Sequence, residues 1–316
     1  PMRAQAADVN GDGSPDLLLV SSNSGNIVPC DSFIYWGNAR HVYSPASMNT
    51  MASGSVQPAP AAADLNQDGQ IDAVVAGCCG MAFPPEMGGN GFDPPQSFVW
   101  INQWNPNGWV DARVLPVPAL ENLPVRAAAL GDLDGDGDLD LFAAVQRGVP
   151  GHAVDSADRL LLNDGAGNLS DSGQRLGDGD SYSVALGDLN GDGYLDALVG
   201  TAEGAEAWFN HFNEEFVLRG PGLPGGEGLS VFLSDLDADG DLDALVAGAK
   251  EAHVWFNDGQ AAFTRGEQRL RYTSRHGLAL ADLNGDGHTD IFAAAYAEDY
   301  RLWINDGSGG FLPKSH

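Results

Sequence analysis

The chain has 316 residues, with 44 acidic against 15 basic side chains and a formal net charge of -29. A surface of that sign repels nucleic-acid phosphates and anionic membranes, while 43% hydrophobic and only 19% charged residues exclude an acidic disordered tail. No run of about 18 uncharged apolar residues occurs, so no membrane insertion is expected, and Pro1-Met2-Arg3 lacks the apolar stretch of a signal peptide, as in a mature or trimmed form.

Helical periodicity is nearly absent and Gly and Pro make up about a fifth of the residues, which favours short strands joined by turns. One nine-residue pattern, Asp-x-[Asp/Asn]-x-Asp-Gly-x-x-Asp, recurs six times, with starts 56, 68, 56, 47 and 47 residues apart. The first copy carries Asp8, Asn10, Asp12, Ser14 and Asp16, and an aromatic strand, Phe33-Ile-Tyr-Trp36, follows it. The second, with Asp64, Asn66, Asp68, Gln70 and Asp72, lies between the Ala-rich strand Ala61-Ala-Ala-Asp64 and the apolar strand Asp72-Ala-Val-Val75, with Phe98-Val-Trp100 beyond. The third has Asp132, Asp134, Asp136, Asp138 and Asp140 between Arg126-Ala-Ala-Ala-Leu130 and Leu141-Phe-Ala-Ala144. The fourth has Asp188, Asn190, Asp192, Tyr194 and Asp196, then Ala207-Trp-Phe209; the fifth has Asp235, Asp237, Asp239, Asp241 and Asp243, then Val254-Trp-Phe256. The sixth has Asp282, Asn284, Asp286, His288 and Asp290, then Leu302-Trp-Ile304. Several third strands end in Asn-Asp-Gly (Asn163, Asn257, Asn305), which supplies the positive φ of a tight hairpin.

Four antiparallel strands per unit, six units and small residues on the first strand predict an all-β fold: a β-propeller in one domain, with blades near 1–55, 56–118, 119–177, 178–225, 226–272 and 273–316. A linear solenoid would want atypical capping repeats, whereas both terminal repeats keep the motif intact.

The oxygens at motif positions 1, 3, 5 and 9, with the backbone carbonyl of position 7, can converge on one hard cation, and Gly at position 6 permits the sharp turn. All-oxygen ligation suits Ca²⁺. The last acid falls at position 9, where an EF-hand has Glu at 12, and strands flank the loop. The motifs hold 22 of the 44 acids, and six divalent ions would add twelve positive charges and move the formal charge from -29 to -17.

On these residues the whole chain resembles the FG-GAP/VCBS-type calcium-binding repeats of the integrin α-subunit propeller and of related secreted bacterial and fungal proteins, a fungal propeller lectin among them. The resemblance implies Ca²⁺ at all six loops between strands 1 and 2, in a stabilising role. Integrin propellers have seven blades, so a seventh stays open, and the Phe-Gly and Gly-Ala-Pro signatures are absent. Secretion, the periplasm or a cell surface is the expected setting.

In a four-stranded blade the 1–2 and 3–4 loops share one face and the 2–3 and 4–1 loops the other. The 2–3 connections are expected to be long in blades 1 to 3 (Ser22–Asp31, Cys78–Gln96, Arg147–Ala157) and short in blades 4 to 6 (Thr201–Gly204, Ala249–Ala252, Ala297–Asp299), with the 4–1 links Pro45–Pro58 and Pro116–Val125 beside the long ones. A cluster of long loops suggests a binding surface. It would carry Met48, Met51, Met81, Met87, Phe83, Phe92, Arg147 and His152, together with all three cysteines. Cys30 paired with Cys78 or Cys79, a vicinal Cys78–Cys79 bridge, and a soft-metal site of Cys and Met sulfurs remain alternatives.

Catalytic signatures are missing: there is no His-Glu-x-x-His, no Gly-x-Ser-x-Gly and no P-loop. The expected function is recognition of a carbohydrate or extracellular protein. A polysaccharide lyase or hydrolase acting on the same face and a structural spacer are the alternatives; the sequence leaves oligomeric state open.

Overall fold

The computed structural model describes residues 2–21, 30–35, 37, 48–54, 59–76, 97–104, 110–121, 123–147, 155–178, 180–211, 215–220, 222–224, 230–272, 277–294 and 300–314. They form two compact units, 1–180 and 181–316.

The first unit holds three antiparallel sheets. Blade 1 comprises β1 (Met2–Ala7), β2 (Asp16–Ser21), β3 (Cys30–Tyr35) and β4 (Met48–Gly54). Blade 2 comprises β5 (Ala59–Ala63), β6 (Asp72–Ala76), β7 (Phe98–Trp104) and β8 (Val110–Pro116); blade 3 comprises β9 (Val125–Gly131), β10 (Asp140–Val145), β11 (Asp158–Asn163) and β12 (Leu169–Leu176). In the second unit, blade 4 has β13 (Ser181–Gly187), β14 (Asp196–Thr201), β15 (Gly204–His211) and β16 (Glu215–Leu218), and the short β17 (Leu223–Pro224) pairs with β15 beyond β16. Blade 5 has β18 (Ser230–Ser234), β19 (Asp243–Ala247), β20 (Glu251–Phe256) and β21 (Thr264–Arg271). Blade 6 has β22 (Gly277–Ala281), β23 (Asp290–Ala294), β24 (Arg301–Asn305) and β25 (Phe311–Pro313). Strand order within each sheet follows the chain, and the fold is a β-propeller with six meander blades among the described residues.

Burial explains the strand sequences. The second strands β6, β10 and β19 are buried at every position, because both faces of the sheet are covered there, and they read as unbroken apolar runs. The fourth strands β12 and β21 are mostly exposed and polar. The cores lie between consecutive blades: Leu65, Val74 and Ile101 of blade 2 pack with Leu141, Val145 and Leu161 of blade 3. Leu198, Ala207 and Phe209 of blade 4 meet Val231, Val246 and Trp255 of blade 5, whose Leu245 and Val254 meet Ile291 and Trp303 of blade 6.

One expected link is corrected. Residues Met48–Gly54, read as part of the loop Pro45–Pro58, form β4 and pair with β3 from Cys30↔Gly54 to Tyr35↔Met48. Met48 and Met51 are therefore strand residues, set there because the outer edge of β3 needs a hydrogen-bonding partner. The link after Pro116 does turn, through a 3-10 helix at Pro118–Leu120 that buries Leu120.

The turn between β24 and β25 shows why glycine is required. Gly309 has φ +77°, and a Cβ there would lie 2.5 Å from Phe256 Cζ and 2.6 Å from Cε1. Gly309→Ala combines backbone strain with overpacking and is expected to cost ~2–3 kcal/mol, read as a lower denaturant midpoint at an unchanged m-value.

Candidate metal centres

Each nine-residue loop joins the first two strands of its blade. The six position-9 carboxylates (Asp16, Asp72, Asp140, Asp196, Asp243 and Asp290) are completely buried. In every one, Oδ2 accepts the backbone N–H of position 2 at 2.8–2.9 Å, from Val9, Leu65, Leu133, Leu189, Leu236 and Leu283. Oδ1 accepts an N–H from the end of the third strand at 2.7–2.8 Å, donated by Gly37, Asn102, Asn163, Asn210, Asn257 and Asn305. This acid thus locks loop, second strand and third strand together, and each oxygen keeps a second lone pair. Burial outweighs these hydrogen bonds and pushes the Asp72, Asp140, Asp196 and Asp243 carboxyls up to about 6, with Asp16 also raised.

The earlier positions fold the loop around its own acids. Position 1 accepts the N–H of position 6, as from Gly13 to Asp8 at 2.8 Å and from Gly193 to Asp188 at 2.9 Å. Position 5 accepts the N–H of position 7, as from Ser14 to Asp12, Gln70 to Asp68 and His288 to Asp286. The position-7 side chain lies over the glycine of the 3–4 turn in its own blade: a Cβ on Gly165 would meet Asp138 and one on Gly307 would meet His288, each at 2.5 Å. The 1–2 and 3–4 loops of a blade accordingly share one end of its sheet.

Five of the loops fall into two classes. In loops 1, 2 and 6 the position-3 amide donates to the position-5 carboxylate, from Asn10 to Asp12, Asn66 to Asp68 and Asn284 to Asp286 at 2.8–3.2 Å. Loops 3 and 5 have Asp at position 3, and one carboxylate oxygen each from Asp132, Asp134 and Asp136, or from Asp235, Asp237 and Asp239, lie within 4.8 Å of one another. In loop 5, Asp235 Oδ1 and Asp237 Oδ1 are buried with no hydrogen-bond partner. Burial and then the neighbouring Asp239 hold the Asp237 carboxyl above its ordinary value. Converging acids with orphaned buried oxygens fit a hard divalent cation, so both triplets could hold a metal.

Sequence reasoning missed the second role of the third-strand Asn, which is read above as a turn residue. Its Nδ2 crosses to the preceding blade and donates to the position-2 carbonyl: Asn102 to Val9 at 2.7 Å, Asn163 to Leu65 at 2.8 Å, Asn257 to Leu189 at 2.8 Å and Asn305 to Leu236 at 2.9 Å. The available signal is Asn102-Gln and Asn210-His, where the Asn is kept although no Asp-Gly follows. In blade 1 this position is Gly37, which keeps the backbone bond to Asp16 but has no side-chain amide to cross with.

Of the expected ligand residues, Arg147 is described: its backbone N–H donates to Asp180 Oδ1 at 2.8 Å and its Nη2 to the Asp178 carbonyl at 3.4 Å. Met81, Phe83, Phe92, His152, Cys78 and Cys79 lie outside the described residues, and Cys30 opens β3. No described helix is long and apolar enough to cross a membrane.

Comparison with known proteins follows this geometry. A lectin of Agrocybe aegerita, described as recognising non-reducing terminal N-acetylglucosamine, superposes with a TM-score of 0.63 at 18% identity over 99% of this chain and 79% of that one. A functionally unknown protein from Desulfotomaculum acetoxidans gives 0.56 at 12% identity over 98% and 84%. At these identities the likeness is one of fold. A search of the curated proteins returns no match. The FG-GAP-like repeat model matches three times, over residues 8–75, 132–199 and 235–293, more than half of the chain, and the protein belongs to the FG-GAP-like repeat family.

Proposed function

We propose that this propeller is a Ca²⁺-stabilised extracellular recognition module that binds carbohydrate through the long 2–3 connections of blades 1 to 3. The observation that carries the reading is their asymmetry. β6 ends at Ala76 and β7 begins at Phe98, and β10 ends at Val145 with β11 beginning at Asp158, whereas β14 and β15 are separated only by Ala202 and Glu203. Connections of that length between the second and third strands of consecutive blades are best explained by a ligand. The lectin among the propellers of like fold supports the ligand class. Calcium is the cation favoured by all-oxygen loops, and sites filled at ~10⁻⁴–10⁻³ M suit a secreted or cell-surface setting.

A glycan array probed with the Ca²⁺-loaded protein, and with a variant shortened between Cys78 and Gln96, tests the proposal. Binding is expected, and it should vanish with the loop. Failure to bind any glycan would shift the assignment to a protein partner or a spacer, and turnover of a bound polysaccharide to an enzyme.

A further inference from the structure

The basic side chains are few, and they are not spread evenly: Lys250, Arg265, Arg269, Arg271 and Arg275 give five of the 15 within 26 residues. Three of them stand exposed on β21, the terminal strand of blade 5. Register places them on one face. Glu251 lies opposite Arg271, His253 opposite Arg269 and Trp255 opposite Arg265, with a bulge between the last two pairs. The bulge is anchored, because Gln268 exchanges two hydrogen bonds with the backbone of Phe311 in β25.

Blade 3 has the same register and the same bulge, with Arg159 opposite Arg175 and Leu161 opposite Asp171. There the charges cancel: Arg175 grips Asp171 at 2.7 and 2.9 Å, Arg159 pairs with Asp155 at 2.9 Å, and Arg175 reaches Asp155 at 3.5 Å. In blade 5 an arginine, Arg265, occupies the place of Asp171. Its guanidinium lies 5.8 Å from the Trp255 ring centroid and 2.9 Å from His253 Nδ1. Burial and then Arg265 itself hold the His253 imidazole below its usual value. Among the described residues no carboxylate lies within 4 Å of Arg265 or Arg269, and Arg271 meets only Glu251, at 3.8 Å. Glu267, in the bulge, is the other acid on the strand.

Three arginines beside two carboxylates, Glu251 and Glu267, leave a net positive row that is anomalous on a molecule of net charge -29. From this juxtaposition we infer that the outer face of β21 is a second ligand site, specific for a short oligosaccharide bearing carboxylates. Guanidinium forks match planar carboxylates two bonds at a time. From Glu251 to Trp255 the row spans about 13 Å at ~3.3 Å per residue, which suits an extended ligand with several charges better than a lone ion. The net charge selects for small size, since a large polyanion or an acidic protein is repelled by the rest of the molecule, whereas a short ligand feels mainly the charges within a Debye length of about 8–10 Å.

The test is calorimetric titration of the Ca²⁺-loaded full chain with a glucuronate tetramer and, separately, with its methyl ester. The acid is expected to bind, with the ester at least about tenfold weaker. Arg269→Gln should weaken the acid about tenfold, the cost of one charge-assisted pair, and Arg265→Gln combined with Arg269→Gln should remove binding, both at an unchanged melting temperature. Arg175→Gln, in blade 3, serves as the control and should stay within about twofold. Equal binding of acid and ester, no binding of the acid by the folded parent, or an Arg269→Gln variant that binds as the parent does would overturn the inference. Shortening the Cys78–Gln96 segment should leave this binding intact; loss on shortening would also overturn it and move the acid's site to those loops. A negative glycan array for that segment leaves the titration readable in its own right.

Discussion

Chelation of the Ca²⁺-loaded protein is expected to lower its melting temperature by about 5 °C or more. An ion that binds only the folded state contributes RT ln(1+[L]/Kd), about 2.7 kcal/mol per site when free Ca²⁺ is a hundred times Kd. Loops 3 and 5, with five aspartates each, lie one in each unit, so each unit would gain about 2.7 kcal/mol from its own site, worth ~5–11 °C. Without the ion, the carboxylates of Asp235, Asp237 and Asp239 face one another across less than 4.8 Å, two of them with an orphaned oxygen. Asp237→Asn should reproduce part of the loss and make the remaining transition less sensitive to chelator, because it removes the charge that Asn284 already lacks in loop 6. A melting curve indifferent to chelator, measured by calorimetry across a Ca²⁺ titration, would sink the metal reading.

The second large effect concerns the amide that crosses between blades. Asn257 is buried, its side-chain amide donates to the Leu189 carbonyl at 2.8 Å and the Leu242 carbonyl at 3.2 Å, and its backbone N–H donates to Asp243 Oδ1 at 2.8 Å. Truncation by Asn257→Ala leaves two buried carbonyls without this donor, at about 1–3 kcal/mol for each unsatisfied group. A loss of about 3 kcal/mol, or ~6–12 °C, is expected. Asp258→Ala, one residue further on, removes only exposed turn bonds to Gln260 and Ala262 and should cost under about 1 kcal/mol. Reversal of that order would show that Asn257 serves the turn and not the neighbouring blade.

Much of the fold is legible because the signals are local and repeated. The spacing of Asp8, Asp12 and Asp16 announces a loop between two strands wherever it recurs, and Ala-rich, apolar and aromatic strands follow in fixed order. What is lost is what depends on distant chain. The acceptors of Asn102 and Asn163 lie 93 and 98 residues away, and no local pattern names them. Met48–Gly54 has little strand character of its own and becomes β4 only because β3 offers an open edge. Within the loops, composition identifies the acids but not their division of labour: position 9 looks like one ligand among five, and only its burial shows that it also ties three strands. The basic row on β21 is scattered in sequence until register with Glu251, His253 and Trp255 brings it to one side.

The position-2 residue of loops 4 and 5 is held from two blades at once. In loop 4, the Leu189 N–H is held by Asp196 of its own blade while its carbonyl is held by Asn257 of the next; in loop 5, Leu236 stands in the same way between Asp243 and Asn305. A disturbance at the head of one loop is therefore felt in both directions along the chain, between blades 4 and 5 and between blades 5 and 6, because a coupling between two sites is reciprocal. Such a relay makes amide protection in this unit shared: loosening the fourth loop exposes the end of the third strand in blade 5, and loosening the sixth, through Asp290 and Asn305, frees the Leu236 carbonyl of blade 5.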